Sequence, residues 1–173
     1  MKDSLRREYI LVRRGISLQR RREANAGAFE KLVLMTKDAK HILSYCSLED
    51  EVSVMAFNVY LAEQNRLSLP RIESGIIVPY RVTNMESQLK TFSHRFLEPS
   101  LDCLKSEQID LVIVPGVVFD NNGGRIGFGK GFYDTFLFKN KISSIGVAFK
   151  EQMFEGKLPL EAHDMLMEQL CII

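Results

Sequence analysis

Between Gly123 and Asp134 the chain reads GGRIGFGKGFYD, and this stretch holds five of its 11 glycines. Glycine lets the backbone take positive φ values and approach a ligand closely. Successive free backbone N–H groups running into a helix N-terminus make an anion site. Arg125 and Lys130 add positive charge inside the loop. A ligand with several anionic oxygens, such as a nucleotide phosphate, suits this chemistry. A merely flexible glycine-rich turn would leave the coincidence of glycines, cations and helix start unexplained.

Two familiar phosphate motifs fail here. Gly124, Gly129 and Lys130 match most of a Walker A pattern, but Gly131 stands where Ser or Thr would hold Mg²⁺. Gly127, Gly129 and Gly131 lack the last spacing of a dinucleotide fingerprint. Asp134 falls in the first turn of the following helix, where a carboxylate favours the helix dipole. It is also a candidate ligand for Mg²⁺, which takes one or two carboxylates plus phosphate oxygens.

The elements that must position this loop can be read on both sides of it. Asp110–Val114 is a continuous apolar run, the mark of a strand buried on both faces. Residues 2–14 read as a helix, with Leu5, Tyr9 and Val12 at helical spacing and Gly15 as its stop. Ser17 can cap a second helix running to about Lys40, with Ala24, Ala28 and Leu32 on one face. Strands are expected at 41–45, 66–70, 76–78, 144–149 and 169–173, and a helix at 51–65. Residues 88–96 give no clear period. Strands alternating with helices predict a single α/β domain over 1–173, a three-layer α/β/α sandwich around a largely parallel sheet.

Composition narrows the function classes. The 173 residues are 46% hydrophobic and 26% charged, as in globular domains. A net charge of +1 argues against a nucleic-acid partner. The positive charge is nevertheless concentrated at the N-terminus. Lys2, Arg6, Arg7, Arg13, Arg14, Arg20, Arg21 and Arg22 stand against Asp3 and Glu8. Cys46, Cys103 and Cys171 are odd in number and form no Cys-x-x-Cys pair. They are expected as free thiols in a reducing, cytoplasmic compartment. No apolar run reaches membrane-spanning length, and no membrane partner is expected. His41 and His94 have no companions suited to metal or base chemistry and read as structural.

Val114-Pro-Gly-Val-Val-Phe-Asp120, followed by Arg125-Ile-Gly-Phe-Gly-Lys-Gly-Phe-Tyr-Asp134, resembles the signature of 5-formyltetrahydrofolate cyclo-ligases. Lys2-x-x-Leu5-Arg6, Ser47-x-x-x-Glu51-Val52, Leu69-Pro70-Arg71, Glu98-Pro99 and Leu158-Pro159-x-Glu161-x-His163-Asp164 resemble further family landmarks, in order. The resemblance implies an α/β/α sandwich that uses ATP and Mg²⁺ to close 5-formyltetrahydrofolate to 5,10-methenyltetrahydrofolate, acting as a monomer on small molecules. It implies ATP contacts from Lys2, Asp3, Ser4, Leu5 and Arg6, and from Arg125, Ile126, Gly127, Phe128, Gly129, Lys130, Gly131, Phe132 and Tyr133. It places Cys46, Glu51 and residues Phe128 to Phe132 on the folate. Arg125 and Lys130 become the catalytic cations, Asp134 and Asp164 the Mg²⁺ ligands, and His163 a supporting neighbour. Arg13, Arg14 and Arg20 to Arg22 are expected to face water. The chain departs from the pattern at Phe132 (Tyr in the family), at Val54 (often Thr) and at Arg95-Phe96-Leu97 before Glu98. These departures bear on folate contacts. A different ATP-dependent enzyme on the same scaffold, acting on another amide or formyl compound, would share the glycine loop but not the Cys46 and Glu51 region.

Overall fold

Successive residues of the apolar run at 111–114 enter different clusters. Leu111 and Ile113 join Ile42, Leu67, Ile145 and Val147 on one side, while Val112 and Val114 join Leu43, Leu137 and Ala148 on the other. That alternation is the period of a strand buried on both faces. A computed structural model describes residues 1–93 and 96–173. In chain order its elements are α1 (Lys2–Gly15), α2 (Leu18–Met35), β1 (Ile42–Leu43), α3 (Met55–Glu63), β2 (Leu67–Glu73), β3 (Ile76–Arg81), α4 (Met85–Gln88), β4 (Leu89–Ser93), β5 (Phe96–Pro99), β6 (Leu111–Pro115), β7 (Val118–Asp120), β8 (Arg125–Ile126), α5 (Phe132–Asn140), β9 (Ser143–Ala148), β10 (Met153–Phe154) and β11 (Gln169–Ile172).

The main sheet has the order β11-β9-β6-β1-β2-β3. All its pairings are parallel except β2 with β3, which form an antiparallel hairpin. One face is covered by α2 and α3, through Ala24, Ala28, Leu32, Phe57 and Leu61. The other carries α5 through Leu137, with Phe132, Tyr133 and Phe136 packed alongside. The expected three-layer α/β/α sandwich is therefore the architecture observed. Two smaller sheets add to it: β10-β7-β8, and the hairpin β4-β5. Leu5 and Tyr9 of α1 pack on the first of these, against Val118, Ile126 and Leu158. This places the N-terminal helix beside the glycine loop.

Several boundaries differ from the sequence reading, each for a local reason. Helix α2 stops at Met35 rather than near Lys40, because Thr36 turns its hydroxyl and its N–H onto the Leu32 carbonyl. Helix α3 begins at Met55 rather than 51. Asn25 captures the Ser53 N–H and Ser47 captures the Val54 N–H, holding that segment out of the helix. Strands β2 and β3 run longer than expected, because Pro70 and Pro79 face one another in register and neither has an N–H to strand. Val12 was expected on the buried face of α1 but is 38% exposed, and Arg13 lies buried in its place. The structural role expected of His94 lies outside the described residues. No described helix is long and apolar enough to cross a membrane.

Candidate active site

Asp120 closes β7 and is completely buried. Its Oδ1 accepts from the Asn122 and Gly124 N–H groups at 2.9 and 2.8 Å, and its Oδ2 accepts from the Leu158 N–H at 2.8 Å. One carboxylate thus winds the start of the glycine loop and ties it to the segment that carries Asp164. A Cβ at Gly124 would stand 2.5 Å from Asp120 Oδ2, so only glycine fits there. Sequence reasoning assigned Asp120 no role. The signal was present, since Asp before Asn-Asn-Gly-Gly is a side chain poised to bond its own backbone two residues on.

Beyond β8 the chain runs without regular structure to Gly131, whose φ of +66° caps α5. Among the described residues, the N–H groups from Gly127 to Gly131 find no protein acceptor. With the first-turn N–H groups of α5, they are donors left free for an anion, as the glycine pattern leads one to expect. Arg6 Nε donates to the Gly127 carbonyl at 2.7 Å and fixes the cradle to α1. Gly129 has φ +85°, and a Cβ there would meet Arg6 Cζ at 3.1 Å. Gly129→Ala is therefore expected to cost about 1–2 kcal/mol of backbone strain. It should also push Arg6 aside, so that affinity for the nucleotide expected from the sequence falls further than thermal stability, as titration and melting curves would show.

The cradle opens into a cleft of about 1360 Å³. Every expected site residue lines it except Ser4 and Leu5. Ser4 is exposed, and Leu5 packs into the small core beneath α1. At one end the expected phosphate cations are paired with carboxylates. Lys2 Nζ donates to Asp164 at 2.5 Å and lies 3.2 Å from Glu161. Burial alone would lower the Lys2 ammonium, but hydrogen bonds and charge from Asp164 and Glu161 hold it above its ordinary value. Burial works against the Asp164 carboxylate as well. The Glu161 N–H and Lys2 outweigh it and keep that group below the usual range. Arg6 also pairs with Asp3. Arg125 is buried, donates to Asp134 Oδ2 at 2.9 Å, and has no partner for its Nε among the described residues. Lys130 is exposed and enters no ion pair among the described residues. His163 is exposed at the rim, 3.4 Å from Glu161.

The other end is apolar with a buried acid. Ile72, Ile77, Phe92, Phe96, Leu97, Phe128 and Phe132 line it together with Glu98; the hairpin β4-β5 supplies four of these, of which the sequence reading had linked Phe96, Leu97 and Glu98 to folate contacts but not Phe92. Glu51 accepts from the Leu48 N–H at 2.9 Å, and burial raises its carboxyl. Cys46 is half-buried, and burial pushes its thiol up to about 12, so it lines the cleft as a small protonated group. Tyr133 lines the cleft near both Glu51 and Arg125. Burial raises its hydroxyl, the Glu51 charge raises it further, and Arg125 opposes this from 5.9 Å beneath the ring. Phe132 packs its ring against the apolar cluster of α5 while lining the cleft. Val54 lies in the core rather than in the cleft, so that departure concerns packing.

Two expectations about cations need correction. Arg13 is 1% exposed and does not face water, because Asp50, Glu51 and the Gly116 carbonyl all accept from it. Arg20 and Arg21 are half-buried. Arg20 bonds Glu151 and the Ile173 carbonyl, and Arg21 bonds the Ile16 and Arg13 carbonyls. His41 bonds the Ser68 hydroxyl at 3.0 Å and does not line the cleft, in keeping with a structural role.

Among the described residues no three His, Cys, Asp or Glu side chains gather as a metal cage. Asp134 and Asp164 nonetheless line one cleft, and the Met165 N–H donates to Asp134 at 3.1 Å, joining the two segments. Two carboxylates beside a glycine loop with free N–H groups are a donor set that suits Mg²⁺, which shares its coordination with phosphate and water.

Comparison with known proteins agrees with this geometry. The family model of 5-formyltetrahydrofolate cyclo-ligases matches residues 1–172. A Mus musculus 5-formyltetrahydrofolate cyclo-ligase is 27% identical over 187 residues, covering 98% of this chain and 92% of that one. The Escherichia coli K12 enzyme of the same name is 33% identical over 119 residues, covering 61% of this chain and 64% of its own. The solved structure of Aquifex aeolicus 5,10-methenyltetrahydrofolate synthetase superposes with a TM-score of 0.86 at 32% identity, over 99% of this chain and 89% of that one. A Mycoplasma pneumoniae 5,10-methenyltetrahydrofolate synthetase shares the fold, with a TM-score of 0.77 at 24% identity over 98% and 96%.

Proposed function

The chain belongs to the 5-formyltetrahydrofolate cyclo-ligase family, and on that premise we propose that it uses Mg-ATP to close 5-formyltetrahydrofolate to 5,10-methenyltetrahydrofolate, releasing ADP and phosphate. The observation that carries this reading is a single cleft lined both by the cationic glycine loop with Lys2 and Arg6 and by apolar and aromatic side chains with the buried carboxylate of Glu51.

A formamide carbon is a poor electrophile and its oxygen a poor leaving group. Attack by the formyl oxygen on the γ-phosphorus solves both problems. The formyl O–P bond forms as the bond to ADP breaks. N10 then attacks the formyl carbon and gives up its proton to the departing phosphate or to solvent, the C–O bond breaks, and phosphate leaves with the former formyl oxygen as the ring closes. The protein supplies orientation and charge, as in other phosphoryl transfers. Lys2, Arg6 and the 127–131 N–H groups hold the phosphates. Arg125, with Nε unpaired, faces the charge that moves during transfer. Lys130 can reach the same oxygens from the rim. Asp134 and Asp164 would hold Mg²⁺, which when bound neutralises phosphate charge. The Lys2–Asp164 and Arg125–Asp134 pairs already contain both halves of this exchange: cations for phosphate oxygens and carboxylates for a metal. Glu51 accepts from the pteridine N–H edge, while Phe128 and Phe132 cover its face.

An oxygen-18 label on the formyl group tests the route. It should appear in the released phosphate, and label retained in water or folate would sink the phosphorylated intermediate. Lys2→Ala removes a charge-assisted contact worth about 1.5–3 kcal/mol and should raise the ATP KM at least about tenfold. The folate KM should stay within about twofold. An unchanged ATP KM would reduce Lys2 to a tether for the Asp164 segment. The same reading assigns a monomer, and three free cysteines suit the reducing, cytoplasmic setting it expects.

A further inference from the structure

Arg13 follows Arg6 by seven residues on α1, two helical turns along the same stripe. Its Nε and Nη2 donate to Asp50 Oδ2 at 3.1 and 2.9 Å. Its Nη1 donates to Glu51 Oε1 and to the Gly116 carbonyl, each at 3.4 Å. Its Cζ lies 5.4 Å from the centre of the Phe128 ring. One guanidinium therefore touches the loop that carries Glu51, the turn after β6 and the glycine loop. Burying such a cation is costly, and apolar residues of similar volume often replace buried ion pairs without loss of stability. Packing alone leaves this charge unexplained.

We propose that Arg13 is a positioning residue for the folate ring, fixing the direction of the Glu51 carboxylate and the tilt of the Phe128 ring. The proposal deepens the assignment of the apolar end to folate and rests on it. The Leu48 N–H holds the second oxygen of Glu51 at 2.9 Å, so Arg13 and Leu48 together leave that carboxylate one orientation. Arg13 also carries this arrangement on the helix that bears Lys2 and Arg6, so a single rigid element sets both ends of the cleft. The titratable and charged groups facing Glu51 are Arg13 from α1, Asp50 in its own loop, Tyr45 after β1 and Tyr133 from α5. Burial raises the Glu51 carboxyl and the Arg13 charge opposes that rise. Without Arg13 the carboxyl moves further up, and recognition of the pteridine N–H groups is lost at a higher pH than in the wild type.

Two variants test this. Arg13→Lys keeps the charge but loses the planar fork and the face over Phe128. The double variant Arg13→Met with Asp50→Asn removes the pair without stranding the Asp50 charge. KM values for 5-formyltetrahydrofolate and for ATP are measured across the neutral range, with melting temperatures alongside. Arg13→Lys should raise the folate KM about tenfold while the ATP KM moves less than about twofold. In the double variant the folate KM should fall again as pH rises, with a midpoint above that of the wild type. Equal changes in both KM values, or a loss independent of pH, would overturn the proposal. Wild-type protein that neither binds nor cyclises 5-formyltetrahydrofolate would remove the reading beneath it, and that result needs no variant.

Discussion

Arg125→Ala is expected to lower kcat by about 10³-fold, the scale of a lost transition-state arginine in phosphoryl transfer. The folate KM should move by less than about threefold, because the lost contact strengthens only as charge moves. The residue is 6% exposed, and its Nη2 and Nη1 donate to Asp134 and to the Pro115 carbonyl at 2.9 and 3.3 Å. It is thus held before any ligand arrives, in surroundings where a charge acts strongly because water is excluded. Truncation also strips Asp134 of its partner, so melting temperatures must accompany the kinetics. Arg125→Lys should keep part of the rate, since it restores charge without the fork. A full rate in Arg125→Ala would remove the residue from the chemistry and leave it a strut for Asp134.

Asp120→Ala carries the largest expected loss of stability. The Gly124 and Leu158 N–H groups would lose their buried acceptor. At about 1–3 kcal/mol for each stranded buried donor, the cost should be roughly 3–5 kcal/mol. For a chain of this size that is a fall of about 10 °C in melting temperature. Activity should fall too, since Leu158 leads into the segment holding Asp164 against Lys2. Asp120→Asn should be intermediate, because it keeps one acceptor while turning an NH₂ group toward a neighbouring N–H. A melting temperature within about 2 °C of wild type would show that water satisfies these donors instead.

The parts legible in the sequence were those with a local cause. The buried strand at 111–115, the capping Ser17 and the glycine loop each follow from a few neighbouring residues. The loop could be read as a phosphate cradle because glycines, cations and a helix start coincide in one stretch. The family resemblance added the distant partners, Lys2, Glu51 and Asp164, and these do meet the loop in one cleft. What escaped depends on contacts across the fold. Arg13 looked like a solvated cation because its partners, Asp50, Glu51 and Gly116, are remote in sequence. Its spacing from Arg6 was the available sign. Helix α3 looked longer because Asn25 and Ser47, which capture its expected first N–H groups, come from elsewhere. The hairpin β4-β5 lacked a readable period because Phe92, Phe96 and Leu97 remain exposed and line the cleft instead of joining the core.

The measurement that tests the central claim most directly is the near-ultraviolet absorbance of the methenyl product. Purified protein is mixed with 5-formyltetrahydrofolate, ATP and Mg²⁺, and each is omitted in turn. The account predicts a rise only when all four are present, with one ADP released for each ring closed. No rise from protein that still binds ATP would contradict it, keeping the phosphate cradle and assigning the apolar end to another amide or formyl compound.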